Sequence, residues 1–361
     1  MNKNLYVDIH VLQNVPPSCV NRDDTGSPKM AVYGGTPRAR VSSQAWKRVI
    51  REDFKRLFPE GELGKRTKYI VDLVKDAILK EKTDLSPENA EKLAIKALTN
   101  AGFESKNLKK KADVLFFISA SQLQALARLA IDEVKDKKAY KEALKENPSV
   151  DMIMFGRMVA DDSSLNYDAT VQVAHSISTH IVHNEYDYFT AVDDYPQEGN
   201  TGASHLGTVE FNSAVLYRYA TMNVRELAKF AGEMAARATR NFVESFVYTM
   251  PTGKENTFAN RTLPSDIYIT LRQDQPVNLC GAFEKAVPAG TEGYIAPSEK
   301  AFAKYTKDLY RQYGNAPVLS FGSGKSMELL NEEGLDVPAY SVPDLLDALE
   351  NALVKQLEDE K

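Results

Sequence analysis

The 361-residue sequence contains only two cysteines, Cys19 and Cys280. Two cysteines cannot build a disulfide framework, and alone they cannot bind a structural zinc ion. No apolar run approaches the roughly 18 residues of a transmembrane helix, and the first residues lack an apolar secretory segment. We therefore expect a cytoplasmic protein with no membrane association, built around an ordinary hydrophobic core.

The chain also lacks positive net charge, because 45 basic and 50 acidic residues give −5. That balance disfavours a simple nucleic-acid-binding protein. The charge is unevenly distributed, however: residues 325–361 carry −7, which leaves +2 on residues 1–324. Residues 38–56 alone hold seven basic and two acidic side chains. Because charges act over roughly 8–10 Å in physiological salt, this basic stripe can bind a polyanion on an acidic protein.

The first half of the chain alternates between regular and irregular patterns. Residues 5–12 alternate with period two and predict a strand, whereas residues 14–40 are rich in proline, glycine and asparagine and predict a long loop. A helix is predicted to begin at Ser42-Ser43-Gln44 and to end near Leu57. Residues 60–147 are rich in lysine, alanine and leucine and predict a helical insertion.

The second half returns to β character. A polar segment, residues 193–207, lies between two predicted strands and predicts a protruding hairpin arm. The remaining elements are strands at 151–158, 171–183, 186–192, 208–222 and 266–272, and helices at 224–249, 297–313 and 343–358. Strands and helices in this order predict an α+β fold with one insertion and one arm.

The predicted helix start is the first candidate site. Free N–H groups at a helix N-terminus favour anions, and the hydroxyls of Ser42 and Ser43 can donate as well. Lys47 and Arg51 lie one turn apart on one face. An ordinary capped helix with a solvated basic face explains the same pattern. The preceding loop favours a phosphate site, because it offers further basic residues and Gly34-Gly35, where backbone can approach a ligand closely.

Two other motifs carry less weight. Gly322-Ser323-Gly324-Lys325-Ser326 resembles a phosphate-binding loop, but the position that needs the first glycine is Leu319, which disfavours a nucleotide triphosphatase. His175, His180 and His183 do not gather on one strand or helix face, which favours structural histidines over a metal site.

Paired carboxylates and a lysine-rich helix leave alternatives open. Asp23-Asp24 and Asp193-Asp194 could hold Mg²⁺ for phosphodiester cleavage, although such pairs more often cap turns. Four lysines of the insertion lie along one helix side and could contact duplex phosphates or simply face solvent: Lys137, Lys138, Lys141 and Lys145.

Many of these residues match a known family in order along the chain. The chain resembles the CasC family, the backbone subunits of type I-E Cascade complexes in CRISPR immunity, within the RAMP superfamily. The matching runs are Ile9–Leu12, Pro17–Asp24, Tyr33–Gly35, Arg40–Gln44 with Lys47-Arg48, Gly156–Met158, Ala174-His175, Thr179-His180, Phe189–Asp194, Ser204–Gly207, Tyr217–Ala220 and Ala282–Val287.

The resemblance implies a hand-shaped α+β fold: an RRM-like (ferredoxin-like) palm, helical fingers and a β-hairpin thumb. Its parts would be palm at 1–58, fingers at 59–180, palm at 181–190, thumb at 191–223, and palm with an acidic tail at 224–361. The aromatic RRM signature is absent, so RNA would bind a surface other than the usual stacking platform.

The resemblance further implies a subunit that oligomerises along CRISPR guide RNA (crRNA) and presents bases to target DNA. By position, the residues implied to contact crRNA are Arg22, Lys29, Ser42, Gln44, Lys47 and Arg51, with a wedge at a kinked nucleotide formed by Met158, Thr190 and Leu206. The four fingers lysines would contact DNA. Thr36-Pro37 replaces the family's basic position after Gly34-Gly35.

The resemblance implies no catalysis, cofactor or metal, and its partners would be crRNA, target DNA, further copies and other Cascade subunits. The alternative is a metal-dependent endoribonuclease of a related RRM-like family that uses loop aspartates such as Asp23.

Overall fold

The structure is a computed structural model that describes residues 4–103, 108, 115–159, 162–192 and 203–358. The chain divides into two compact units. The first comprises Met1–Ile50, Val173–Thr221 and Phe242–Lys361, and the second comprises Arg51–Gln172 and Met222–Asn241.

The described residues form strands and helices throughout the chain. The strands are β1 (Tyr6–Ser18), β2 (Met30–Tyr33), β3 (Thr36–Val41), β4 (Lys65–Thr67), β5 (Phe116–Ile118), β6 (Val171–Val173), β7 (Ser176–Ser178), β8 (Glu185–Val192), β9 (Ala203–Asn223), β10 (Asp266–Arg272) and β11 (Leu319–Ser323). The helices are α1 (Ser43–Leu57), α2 (Ile70–Glu81), α3 (Pro87–Asn100), α4 (Ala120–Ile131), α5 (Lys137–Lys145), α6 (Val150–Phe155), α7 (Val224–Ala231), α8 (Ala235–Tyr248), α9 (Glu255–Phe258), α10 (Ile295–Tyr313), α11 (Ser326–Glu332) and α12 (Val342–Glu358). Among these residues, no helix is both long and apolar enough to cross a membrane.

The main sheet has the strand order β11-β10-β1-β9-β7-β3-β2, with β6 and β8 also paired to β9. Its centre follows the chain as β1–α1–β7–β9–α8–β10, which is the βαββαβ order of the ferredoxin-like fold. β1 and β10 pair antiparallel from Tyr6↔Arg272 to Leu12↔Asp266, and β7 pairs antiparallel with β9. The predicted α+β class with an RRM-like palm is confirmed.

The predicted loop at 14–40 is wrong in part. β1 continues to Ser18, and β2 and β3 form a hairpin whose turn is Gly34-Gly35, with φ of +58° and +73°. Two consecutive positive φ values suit a tight hairpin turn, which asks for glycine there. A side chain on Gly34 would lie 1.7 Å from the Glu284 carbonyl oxygen. The close backbone approach predicted for a ligand is therefore made to the protein itself.

The second unit is mainly helical, as predicted for residues 60–147. Its core joins α2, α3, α4 and α5 through small and aliphatic side chains, including Ala90, Ala94 and Leu126. The predicted strand at 151–158 is wrong, because α6 occupies Val150–Phe155. A short apolar run does not distinguish a buried strand from a buried helix by its period. The unit overlaps the predicted fingers at 59–180 but also takes in residues 222–241.

The predicted arm is a β-hairpin. β8 pairs antiparallel with the first part of β9, and Thr190 lies opposite Leu206. The predicted tip at 193–202, including Asp193-Asp194, lies outside the described residues. The single helix predicted at 224–249 is instead α7 and α8, separated at Gly232, whose φ is +55°.

A buried acid pair lies beneath the Gly322–Ser326 segment. The Asp266 carboxylate accepts a hydrogen bond from the Ser326 N–H at 2.7 Å, and the carboxyl group of Glu299 on α10 is its neighbour. Burial, followed by the charge of Asp266, raises the pKa of Glu299 to about 7. The segment that resembles a phosphate-binding loop therefore packs its backbone on a carboxylate, which disfavours an anion there.

Glu299→Gln tests this pair through the pH dependence of stability. Folded Glu299 keeps its proton up to about pH 7, whereas the unfolded chain releases it near the ordinary carboxyl pKa. Between about pH 5 and about pH 8, the free energy of unfolding of the wild type should therefore fall by about 1–3 kcal/mol relative to the variant. Urea unfolding at each pH measures this. Parallel curves for the two proteins would contradict the assignment.

Candidate nucleic-acid interface

The start of α1 is built by contacts from two other segments. The Ser42 N–H donates to the Asn21 Oδ1 at 2.9 Å, and the Ser43 N–H donates to the His175 Nδ1 at 3.3 Å. Ser42 is buried and Gln44 is exposed. The prediction that these first N–H groups are free for a phosphate is wrong for Ser42 and Ser43, because both have protein acceptors. An anion would therefore meet the side chains around this helix start.

Three cations act on the charge state of His175 beside this helix start. The Arg40 guanidinium lies 3.3 Å from the His175 Nδ1. Partial burial, followed by the positive charges of Arg40, Lys29 and Lys47, lowers the pKa of His175. The electrostatic potential at the imidazole is therefore positive, and residues of three separate segments contribute to it. We call Lys29, Arg40, Lys47 and His175 the cationic cluster.

Backbone hydrogen bonds fix two of these cations. The Lys29 N–H donates to the Asn21 carbonyl at 2.8 Å, and the Lys29 carbonyl accepts from the Arg40 N–H at 2.9 Å. The Arg40 Nε also donates to the Met30 carbonyl at 3.3 Å. The pairing of β2 with β3 therefore places Lys29 and Arg40 next to each other.

Arg22 lies on an open groove beside the cationic cluster. The groove has a volume of about 810 Å³, and its lining includes Arg22, Gln44, Arg48 and Lys254. The Asp23 Oδ1 on its rim accepts hydrogen bonds from the Thr25 N–H at 2.9 Å, the Thr25 hydroxyl at 2.7 Å and the Ser27 N–H at 3.1 Å. These bonds, first of all that from Thr25, lower the pKa of Asp23. Asp23 therefore closes a turn.

Two arginines of the basic stripe serve the fold. Arg38 is fully buried and donates to the Ser178, Phe283 and Glu284 carbonyls. Arg51, in the second unit, donates from Nη2 to the Asp151 Oδ2 at 2.9 Å and lies 4.9 Å from the centre of the Phe117 ring. The prediction of one continuous basic surface from Arg38 to Arg56 is therefore wrong at Arg38, while an RNA contact by Arg51 stays a prediction.

The three wedge residues are exposed but are divided between the units. Thr190 and Leu206 face each other on the hairpin, and Leu206 is 60% exposed. Met158 is 87% exposed and belongs to the second unit. On the neighbouring cross-strand pair, Gly207 makes room for the Phe189 ring, since a side chain on Gly207 would lie 2.4 Å from it. The hairpin register thus makes Thr190 and Leu206 cross-strand partners, and their wedge role stays a prediction.

The four predicted DNA-binding lysines are exposed on α5. Lys141 binds the Asp162 carboxylate at 2.6 Å, and Lys138 lies 3.7 Å from Glu142. The bond from Lys141, above all, lowers the pKa of Asp162 to about 2. Lys137 and Lys145 have no ion pair among the described residues. The side of α5 is therefore basic, although two of its four lysines form ion pairs.

Two members of the cationic cluster, Arg40 and His175, are not among the residues that the resemblance implies to contact crRNA. Arg40 directly precedes the Val41-Ser42-Ser43-Gln44 run, and its position two residues before the predicted helix start at Ser42 is the available signal. For His175 the sequence predicts a structural role, but its contact with Ser43 depends on the pairing of β3 with β7, which no local pattern reveals.

The sequence pattern of the CT1975-like proteins matches residues 7–348, nearly the whole chain. The chain belongs to the CT1975-like family. No protein with a curated description matches it significantly.

Two solved structures are similar to this CT1975-like chain. A chain of a "CRISPR RNA-guided surveillance complex, pre-nicking" is 31% identical with a TM-score of 0.79, covering 96% of this chain and 99% of its own. A chain of a "CRISPR RNA-guided surveillance complex" is 28% identical with a TM-score of 0.64 and the same coverages. The likeness therefore extends over both compact units.

Arg51→Ala and Arg56→Ala form a matched pair on one helix. The Arg51 side chain is 21% exposed and pairs with Asp151, which is 3% exposed, whereas Arg56 is 56% exposed beside Asp53. Arg51→Ala removes the ion pair of a buried carboxylate, whose Oδ1 still accepts from the Gly64 N–H, and should cost about 2–4 kcal/mol of unfolding free energy. Arg56→Ala should cost less than about 1 kcal/mol. Urea unfolding measures both, and equal losses would contradict a structural role for Arg51.

Proposed function

We propose that this chain is a CasC-like backbone subunit of a type I-E CRISPR RNA-guided surveillance complex, which oligomerises along the guide RNA. The observation that carries the proposal is the cationic cluster at the start of α1, in a chain that aligns along its length with subunits of such complexes. The similarity to surveillance-complex chains supports a role in such a complex, and the positive charge of the cluster supports binding of RNA phosphates.

The cluster suits an RNA whose sequence varies from guide to guide. Phosphate contacts hold a strand without selecting bases, and Watson–Crick pairing then reads the target. Lys29, Arg40 and Lys47 supply point charges and a guanidinium for this purpose. Arg22 and Gln44 on the adjacent groove extend the same surface. In this proposal the guide backbone runs along these side chains and leaves its bases free.

The hairpin and the helical unit complete the proposed assembly. Thr190 and Leu206, with Met158, would wedge at a kinked nucleotide, because they are exposed and carry no charge that prefers phosphate. The basic side of α5 would contact target DNA through non-specific electrostatics. Further copies of the chain and other Cascade subunits are the protein partners, and the complex works in the cytoplasm.

The subunit is proposed to be non-catalytic. The Asp23 Oδ1 accepts three hydrogen bonds within its own turn, which gives this carboxylate a structural role that needs no catalysis. A metal-dependent endoribonuclease would need a carboxylate such as this one as a ligand for Mg²⁺. Incubating the purified complex with labelled RNA and Mg²⁺ tests this, since cleavage that disappears in Asp23→Ala would favour the nuclease alternative.

Co-expression of the chain with a CRISPR array and the other putative subunits tests RNA-dependent assembly. The wild type should elute as a large complex that contains guide RNA of one defined length. Lys29→Ala with Lys47→Ala should reduce the co-purified RNA at least about tenfold, because each lost phosphate contact weakens binding. Sequencing and quantifying the RNA measure this.

The matched control removes two exposed lysines from α10, Lys300→Ala with Lys304→Ala, and changes the net charge equally. It should retain its RNA. A wild-type chain that elutes as a free monomer without RNA would contradict the proposed function.

A further inference from the structure

We infer that neutral His175 is a positioning residue of the RNA-phosphate site. It holds the Arg40 guanidinium beside Lys29 and Lys47 and, being neutral, does not reduce the positive charge of these three side chains. The inference rests on the proposed function, because it assigns the phosphate contact to Arg40. His175 would act through Arg40 and through the start of α1.

The hydrogen bonds fix the tautomer of His175. The Ser43 backbone N–H can only donate, and a guanidinium N–H can only donate. Both approach the same ring nitrogen, Nδ1, at 3.3 Å. Nδ1 must therefore be the unprotonated acceptor, and the ring hydrogen is on Nε2.

Protonation of Nδ1 would remove the acceptor from Ser43 and place a cation against Arg40. The charged groups that act on the ring are Arg40 of β3, Lys29 before β2 and Lys47 of α1, all positive. They disfavour the imidazolium together, in agreement with the acceptor role that the two hydrogen bonds give to Nδ1.

A neutral acceptor has an advantage over a carboxylate at this place. Like charges repel, so three gathered cations need an anchor that fixes at least one of them. An aspartate or glutamate would anchor Arg40 but would cancel the charge that a phosphate needs. The imidazole nitrogen orients the guanidinium and leaves the full positive charge for the ligand. The same atom also accepts from Ser43, so it ties Arg40 to the helix that carries Lys47.

A double-mutant cycle with Arg40→Ala and His175→Ala tests this coupling on the full chain. The measurement is the affinity for a fluorescein-labelled single-stranded RNA of guide length, followed by anisotropy at fixed salt. Each single variant should weaken binding by about three- to tenfold, as expected for one phosphate contact. The double variant should bind no more weakly than Arg40→Ala alone, because His175 acts through Arg40.

His175→Asn provides a conservative variant, since an asparagine Oδ1 can occupy the place of Nδ1 as a neutral acceptor. It should retain most of the wild-type affinity, and its thermal unfolding, like that of His175→Ala, shows whether the chain remains folded. Losses that add in the double variant, or a folded His175→Asn as weak as His175→Ala, would overturn the inference.

Lys47→Ala separates this inference from the proposed function. If Lys47→Ala weakens RNA binding while His175→Ala does not, the inference fails and the proposed function stands. If the wild type does not bind RNA, or if Lys47→Ala has no effect, the proposed function fails and the inference fails with it.

Discussion

One buried side chain, Trp46, joins the sheet to the helix on which the candidate interface depends. Its Nε1 donates to the Ser176 hydroxyl at 3.0 Å, and Ser176 directly follows His175. The Arg218 guanidinium stacks 3.9 Å from the centre of the indole ring. The contact fixes β7 against the first turns of α1, so His175 meets the Ser43 N–H and Arg40. The cationic cluster exists because these segments are locked together at the core.

The local charge pattern explains how an acidic protein can offer a phosphate-binding surface. The net charge of −5 is a sum over unlike regions, because residues 325–361 carry −7 and residues 1–324 carry +2. Burial removes Arg38 from the apparent stripe, and Arg51 forms an ion pair with Asp151. What remains is a compact group of cations around one neutral imidazole, and screening in salt makes such a group act over a short range.

Much of the fold follows from local pattern, and the exceptions have physical reasons. The alternation in β1, the capped start of α1 and the polar segment after β8 predicted their elements, because each has a period or a turn signal of its own. The β2–β3 hairpin was not predicted because its strands are short. Helix α6 was not predicted because a mostly apolar run of six residues has no distinguishing period. At the site, the basic charge of Lys29 and Lys47 and the family resemblance were enough to predict both as RNA contacts. His175 and the internal use of Arg38 and Arg51 depend on partners 100 or more residues away, which spacing cannot reveal.

Cross-linking of guide RNA within the assembled complex tests the central claim most directly. Ultraviolet cross-linking followed by mass spectrometry identifies the peptides that touch the RNA. The account predicts cross-links in the segments that hold Arg22, Lys29, Arg40 and Lys47, and none in α12 of the acidic tail. Cross-links concentrated in α12, with the cationic cluster unmodified, would contradict it.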